Sequence, residues 1–198
     1  MVDNRPSSGK QLHRYDSAEM EAQLLEHVAN GARAMRWNAF LKGADITWDA
    51  SGYVTGLQPG CFAALRDGLD LAQKHGILLQ IVLSTAHFLR WGSGGETGSL
   101  NTGSTSVPND LRVNNNHLMF TTGLGTQRYI DNVIVPMTQA IGNHPALMGY
   151  VISNEGYGMT TKDGSNHGVW SDVTIDYTDL LTWVNQVAGE INRQIGRA

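Results

Sequence analysis

One cysteine stands among the 198 residues of the chain. Cys61 therefore has no internal disulfide partner, and it lacks the CxxC or HExxH spacing that a zinc site usually shows, so a packed thiol is expected. Like charges form no block either: 14 Lys and Arg and 18 Asp and Glu are dispersed, for a formal net charge of -4. That pattern offers neither the basic stripe of a nucleic-acid binder nor a membrane-surface patch. No apolar run reaches bilayer length, and the opening MVDNRPSSGKQLHRYD lacks the apolar stretch of a secretion signal. A soluble chain is expected, with its compartment left open. The seven histidines show no tight ligand spacing, the Gly/Ser/Thr-rich segment 91 to 106 lacks the GK[ST] ending of a phosphate loop, and no GxSxG elbow occurs. No metal and no cofactor are expected, and a mobile lid is the better reading of that segment.

What is present is a chain that is 41% hydrophobic, enough for one sizeable core. Asp16 with Glu19 has capping-box spacing, and Met20, Leu24, Leu25 and Val28 follow at helical intervals until Asn30-Gly31. Residues 32 to 41 read as a buried strand, and ITWDASGYVTGL as a long loop or small hairpin around Asp49 to Gly52. Phe62, Leu65, Leu69 and Ala72 predict a helix over 59 to 75, closed by His75-Gly76; 77 to 88 then reads as a strand covered on both faces. A helical stripe from Tyr129 to Ile141, a buried strand over 147 to 153 and a last helix from Leu180 to Ile195 complete the order α-β-α-β-α-β-α. The expected organisation is a flexible segment 1–15 with no strand before Asp16, followed by one domain, 16–198.

Strands alternating with helices imply a parallel sheet with right-handed crossovers, whose ligands sit beyond the carboxyl ends of the strands. Arg36, Trp37 and Asn38 fall at the first such end, His87 at the second, and Asn154 and Glu155 at the third, inside GYVISNEGYG. Trp91, Trp170, Trp48 and Tyr157 flank predicted loops, where an aromatic face can stack on a sugar ring or simply pack.

At these residues the chain resembles the (β/α)8-barrel glycoside hydrolases of family 5 and its clan, the cellulases and β-mannanases. The resemblance rests on MRWNAF, on DASGYVTGLQPGCFAALRDGLDLAQKHGILLQIVL and above all on RYIDNVIVPMTQAIGNHPALMGYVISNEG, which is similar to that family's passage from helix through HPAL and strand to NEP. It implies that Glu155 is the general acid/base, that Asn154 contacts the sugar 2-hydroxyl, that Arg36 orients a nucleophile and that His87 falls near a substrate-contacting position; Trp37, Trp91 and Tyr157, as aromatics at the predicted loops, are expected to line the substrate. Gly156 stands where that family has proline. For Arg36 the alternative is an ion pair with Glu155 itself; for His87 and the aromatics it is packing.

The resemblance covers only helix 1 through helix 4 of a barrel that usually needs about 250 residues. It implies an α/β fold of parallel βα units forming a partial, half TIM barrel, completed or covered by dimerisation, because open strand edges favour association. The nucleophile of the resembled family lies beyond this portion, so the second carboxylate is sought among Asp45, Asp49, Glu96 and Asp163 or in a second copy of the chain. The expected function is a glycosidase acting on β-linked sugars through carboxylate acid/base catalysis. The alternative is a non-catalytic carbohydrate-binding or assembly relic of such a barrel.

Overall fold

The computed structural model describes residues 3–4, 12–40, 42–90, 100–102, 105–107, 109–161 and 171–196. Its centre is a parallel sheet of β1 (Asp3–Asn4), β2 (Ala34–Trp37), β3 (Leu78–Val82) and β4 (Leu147–Val151), paired in that order. Ala34 to Trp37 face Leu78 to Ile81 in register; β3 meets β4 with a shift after the Leu79–Leu147 pair, so that Gln80 lies opposite Gly149. The architecture is a partial parallel β/α barrel. The first strand corrects the expectation that none precedes Asp16: Asp3 and Asn4 pair with Arg36 and Trp37. Two residues carry no periodicity to read, and only the neighbouring strand makes them a strand.

The predicted helices form for the predicted reasons. Helix α1 (Ser17–Ala29) opens with the Asp16 carboxylate accepting the Glu19 N–H at 3.1 Å. Helix α2 (Cys61–Lys74) buries Leu65, Leu69 and Ala72 and closes at His75 and left-handed Gly76. Between β2 and α2 lies an antiparallel hairpin, Ile46–Trp48 with Val54–Leu57. Helix α4 (Gly123–Tyr129) passes through a π-helical turn, Ile130–Ile134, into α5 (Val135–Ile141), and α6 (Tyr177–Ile195) ends at left-handed Gly196. Helix α3 (Asn109–Thr121) is absent from the sequence reading. Of the segment 91 to 106, the described part pairs Leu100–Thr102 with residues from Thr105, and the proposed lid lies otherwise outside the described residues.

The core sits between sheet and helices. Met35, Trp37, Leu79 and Ile81, alternating with Arg36 and Gln80, are buried together with Leu65 and Leu69 of α2. At the other end Trp183 of α6 packs on Phe120 of α3 and Tyr129 of α4, ring centroids 4.7 and 5.7 Å away. Strand β4 is less buried than expected. Met148 is 48% exposed, and β4 is the outer strand of the sheet, with no strand paired to its far side among the described residues.

The HPAL passage is a brace at the amino end of β4. His144 Nδ1 accepts the Ala146 N–H at 3.1 Å, so the ring proton is on Nε2, which donates to Asp70 Oδ1 of α2 at 2.9 Å. His144→Ala is expected to cost about 1–2 kcal/mol, a few degrees of Tm, while leaving the opposite, carboxyl ends of the strands unaltered. Thermal melts paired with binding or turnover assays check both halves of that statement.

Candidate active site at the carboxyl ends of the strands

The ends of β2, β3 and β4 are tied together at one residue. The Asn154 N–H donates to the Ser84 carbonyl at 2.8 Å, Asn154 bridges Thr85 in parallel, and its side-chain Oδ1 accepts from Arg36 Nη1 at 2.9 Å. A guanidinium only donates, so the Asn154 amide is oriented with its oxygen on Arg36 and its NH2 free to donate elsewhere. The structure thus replaces the expected Arg36–Glu155 alternative with an Arg36–Asn154 pair. Arg36 Nε is enclosed with no acceptor among the described residues, a polar group that a hydroxyl or carboxylate could satisfy.

Glu155 follows directly, and its backbone is left-handed, φ 54 and ψ 32. It is the only non-glycine residue with positive φ among the described residues, in a region where a side chain costs about 1–2 kcal/mol. The side chain is exposed, and its carboxylate makes no hydrogen bond or ion pair among the described residues. A strained backbone therefore presents an unengaged carboxylate. Gly156 explains itself sterically: a Cβ there would come 2.5 Å from Ser153 Oγ and 3.1 Å from Leu180, so the close approach admits no side chain.

The remaining predicted residues divide. His87 lies on the 3-10 turn Ala86–Leu89, half-buried, with its N–H donating at 3.1 Å to Oγ1 of Thr85, the residue that bridges Asn154. Tyr157 is 57% exposed on the turn Gly156–Met159 beside Glu155. Trp37 is corrected: it is 5% exposed, 6.1 Å from the Tyr15 ring, and so tight on α2 that a Cβ on Gly68 would touch its ring at 2.8 Å. Consecutive strand residues face opposite sides, so with Arg36 turned towards Asn154, Trp37 belongs to the helix layer. Trp91 and Trp170 lie outside the described residues, and Trp48 is half-buried on the hairpin.

Two carboxylate candidates are engaged elsewhere. Asp45 is fully buried with Cys61 Sγ 3.8 Å from its Oδ1, and burial, reinforced by that carboxylate, pushes the Cys61 thiol pKa well up. Asp49 shapes the hairpin turn, accepting the N–H groups of Ser51 at 2.8 Å and Tyr53 at 3.0 Å. Glu96 and Asp163 lie outside the described residues. No three His, Cys, Asp or Glu converge as metal ligands among the described residues, and none of their helices is long and apolar enough to cross a membrane.

What sequence reasoning missed is the support of the strand ends. Arg112 of α3, 1% exposed, donates to the carbonyls of Lys42 at 2.7 Å, Phe88 at 3.1 Å and Arg90 at 2.5 Å. Asn116, one turn on, donates to the Phe88 carbonyl at 3.1 Å. Together they hold the loop after β2 against the loop after β3. The available signal was an Arg and an Asn at i, i+4, hidden in the polar run NDLRVNNN.

No protein-family model matches the chain. A mannan endo-1,4-beta-mannosidase of Mytilus edulis is 28% identical over 153 residues, 77% of this chain and 34% of that protein. Among solved structures, the β-mannanase of the same mussel superposes with a TM-score of 0.73 at 22% identity, covering 91% of this chain and 50% of that one. The β-1,4-mannanase of the sea hare Aplysia kurodai gives 0.71 at 22% identity over 91% and 50%, and the endo-1,4-beta-mannanase of Eisenia fetida 0.69 at 21% over 89% and 47%. The chain shares their fold and spans half or less of their length.

Proposed function

We propose that this chain carries the acid/base half of a glycosidase site for β-linked sugars, with Glu155 protonating the leaving glycosidic oxygen. The observation that carries the reading is the unengaged carboxylate held on a left-handed backbone at a strand end, since such strain persists mainly where function requires it. Asn154, oriented by Arg36, donates its amide N–H to a sugar hydroxyl next to the scissile bond; His87 and Tyr157 border the same cleft, and Trp91 is placed there by sequence alone. The Mytilus edulis, Aplysia kurodai and Eisenia fetida proteins are mannanases by description, which makes β-linked mannan the first polysaccharide to try.

Hydrolysis requires a second carboxyl group, about 5–5.5 Å from Glu155 for retention or roughly 6.5–9.5 Å for inversion with an intervening water. With Asp45 and Asp49 engaged elsewhere, Glu96 and Asp163 remain the candidates within this chain, and a second copy of the chain is another source. The test is turnover of β-mannan oligosaccharides and a panel of nitrophenyl β-glycosides by the purified protein and by Glu155→Gln. Activity lost in the variant supports the proposal, and equal activity in both overturns it.

The engagement of Asp45 with Cys61 and of Asp49 in the hairpin turn favours a second reading, a carbohydrate-binding module without turnover. A wild-type protein that binds the oligosaccharides by calorimetry yet releases no sugar would establish it instead.

A further inference from the structure

Away from the strand-end residues, a cavity of about 390 Å³ opens between the 3-10 turn Leu12–Arg14, the start of α1 and the first turns of α2. That volume lies within the range of about 300–1,000 Å³ usual for small-molecule sites. Leu12, Pro59, Ala63 and Ala64 give the cavity an apolar wall, and Asp67 is the only charged side chain that lines it. Gly60 is left-handed, φ 86, and a Cβ there would meet nothing, so the cavity stands open at the start of α2.

Asp67 uses one oxygen and leaves the other. Its Oδ2 accepts the Tyr15 O–H at 2.6 Å and the Ser17 O–H at 2.7 Å, which ties the start of α1 to α2. Burial, reinforced by this carboxylate, pushes the Tyr15 phenol pKa well up, so Tyr15 stays the donor. Oδ1 has no partner among the described residues. Gly60 brings no side-chain cap to α2, and the first-turn N–H groups of Phe62 and Ala63 have no acceptor among the described residues. An unused acceptor, unused donors and an apolar wall therefore meet around one cavity.

These groups select a ligand class by exclusion. An anion would meet the Asp67 carboxylate, and a cation would meet the positive end of the α2 dipole. A neutral hydroxyl satisfies both sides, because its O–H donates to Oδ1 while its oxygen accepts an N–H. A sugar ring carries such hydroxyls on its edge and C–H groups on its faces, and those faces suit the half-buried Tyr15 ring and the apolar wall. We propose that this cavity is a second, non-catalytic binding site for a neutral sugar unit, with Asp67 Oδ1 as its principal acceptor. Only the choice of mannan as the first sugar to try rests on the function proposed above.

The test is a titration followed by amide NMR on isotope-labelled Glu155→Gln protein, so that the proposed catalysis does not consume the sugar. The ligands are β-1,4-linked mannohexaose and cellohexaose, each up to about 10 mM, which reaches the millimolar binding of a weak site. Saturable shifts are expected at the Gly60 and Ala63 amides with at least one of them. Ala63→Phe puts a ring into the cavity and leaves both bonds to Asp67 in place; Asp67→Asn keeps an oxygen for Tyr15 and Ser17 and turns the free acceptor into a donor. Each is expected to weaken the response at Gly60 at least about 10-fold, with circular dichroism confirming the fold. No saturable shift at Gly60 with either sugar overturns the proposal, as does an affinity unchanged in either folded variant, or tighter binding of hexylammonium or hexanoate than of the sugars. The Asn154 and Gly156 amides report the strand-end site in the same spectra. Silence there with a response at Gly60 counts against the site at Glu155 and leaves the cavity standing; the reverse pattern removes only the cavity.

Discussion

Glu155→Gln is expected to lower kcat/KM on unactivated β-glycosides by about 10²–10⁴-fold, the usual contribution of a positioned general acid, with the fold unchanged. The side chain is exposed and without a partner among the described residues, so the amide removes nothing that holds the chain together. The loss should depend on the leaving group. A dinitrophenolate departs with little protonation, so its glycoside should lose far less in bond cleavage than an alkyl glycoside does. A glutamate that merely stabilised the fold would depress both substrates alike, which makes the ratio of the two losses the decisive measurement.

The backbone supplies a second discriminant at the same residue. Glycine adopts φ 54 without the side-chain penalty that glutamate incurs, although it gives up more chain entropy on folding. Glu155→Gly should therefore melt at or near the wild-type temperature while sharing the catalytic loss of Glu155→Gln. Stability kept and activity removed by the same change is the trade-off expected where a site holds a locally unfavourable residue for its chemistry. A large loss of stability in Glu155→Gly would instead mean that the side chain supports the fold.

The course of the chain through this fold was legible wherever periodicity and punctuation agreed. The Asp16 cap, the Leu65-Leu69-Ala72 stripe with its Gly76 stop, and the apolar run into Asn154-Glu155 each placed an element correctly. Reading failed where only the tertiary partner determines structure. Strand β1 exists by pairing with Arg36 and Trp37, and α3 is a helix whose buried residues include Arg112 and Asn116, polar groups that no amphipathic template counts as core. Trp37 was misplaced for a geometric reason: assigning both Arg36 and Trp37 to one cleft ignored the alternation of a strand, which turns one of them away. Strand β4 was expected to be buried like the other strands of an alternating α/β chain, yet sequence gives no sign that a strand lies at the edge of its sheet.

Arg112→Met is expected to destabilise the protein by about 3–5 kcal/mol, lowering Tm by roughly 6–20 °C for a chain of this size. The methionine fills much of the volume, so the loss measures the hydrogen bonds rather than a cavity: the carbonyls of Lys42, Phe88 and Arg90 lose the donor they share. Arg112→Lys should recover little, because one ammonium cannot span carbonyls that a planar fork reaches with two nitrogens. Asn116→Ala, which removes a neighbouring bond to Phe88, should cost only about 1–2 kcal/mol. The consequence for the site follows from where these carbonyls are. Lys42 follows β2, the strand that carries Arg36, and Phe88 follows β3 next to His87, so Arg112 sets the relation between these two strand ends, while Arg36 in turn orients Asn154. In urea titrations, ligand binding by Arg112→Met should therefore fail at lower denaturant than the loss of far-ultraviolet helicity, since the strand-end loops can separate before the helices melt. Coincident transitions would show that the arginine stabilises the domain as a whole and has no particular hold on the site.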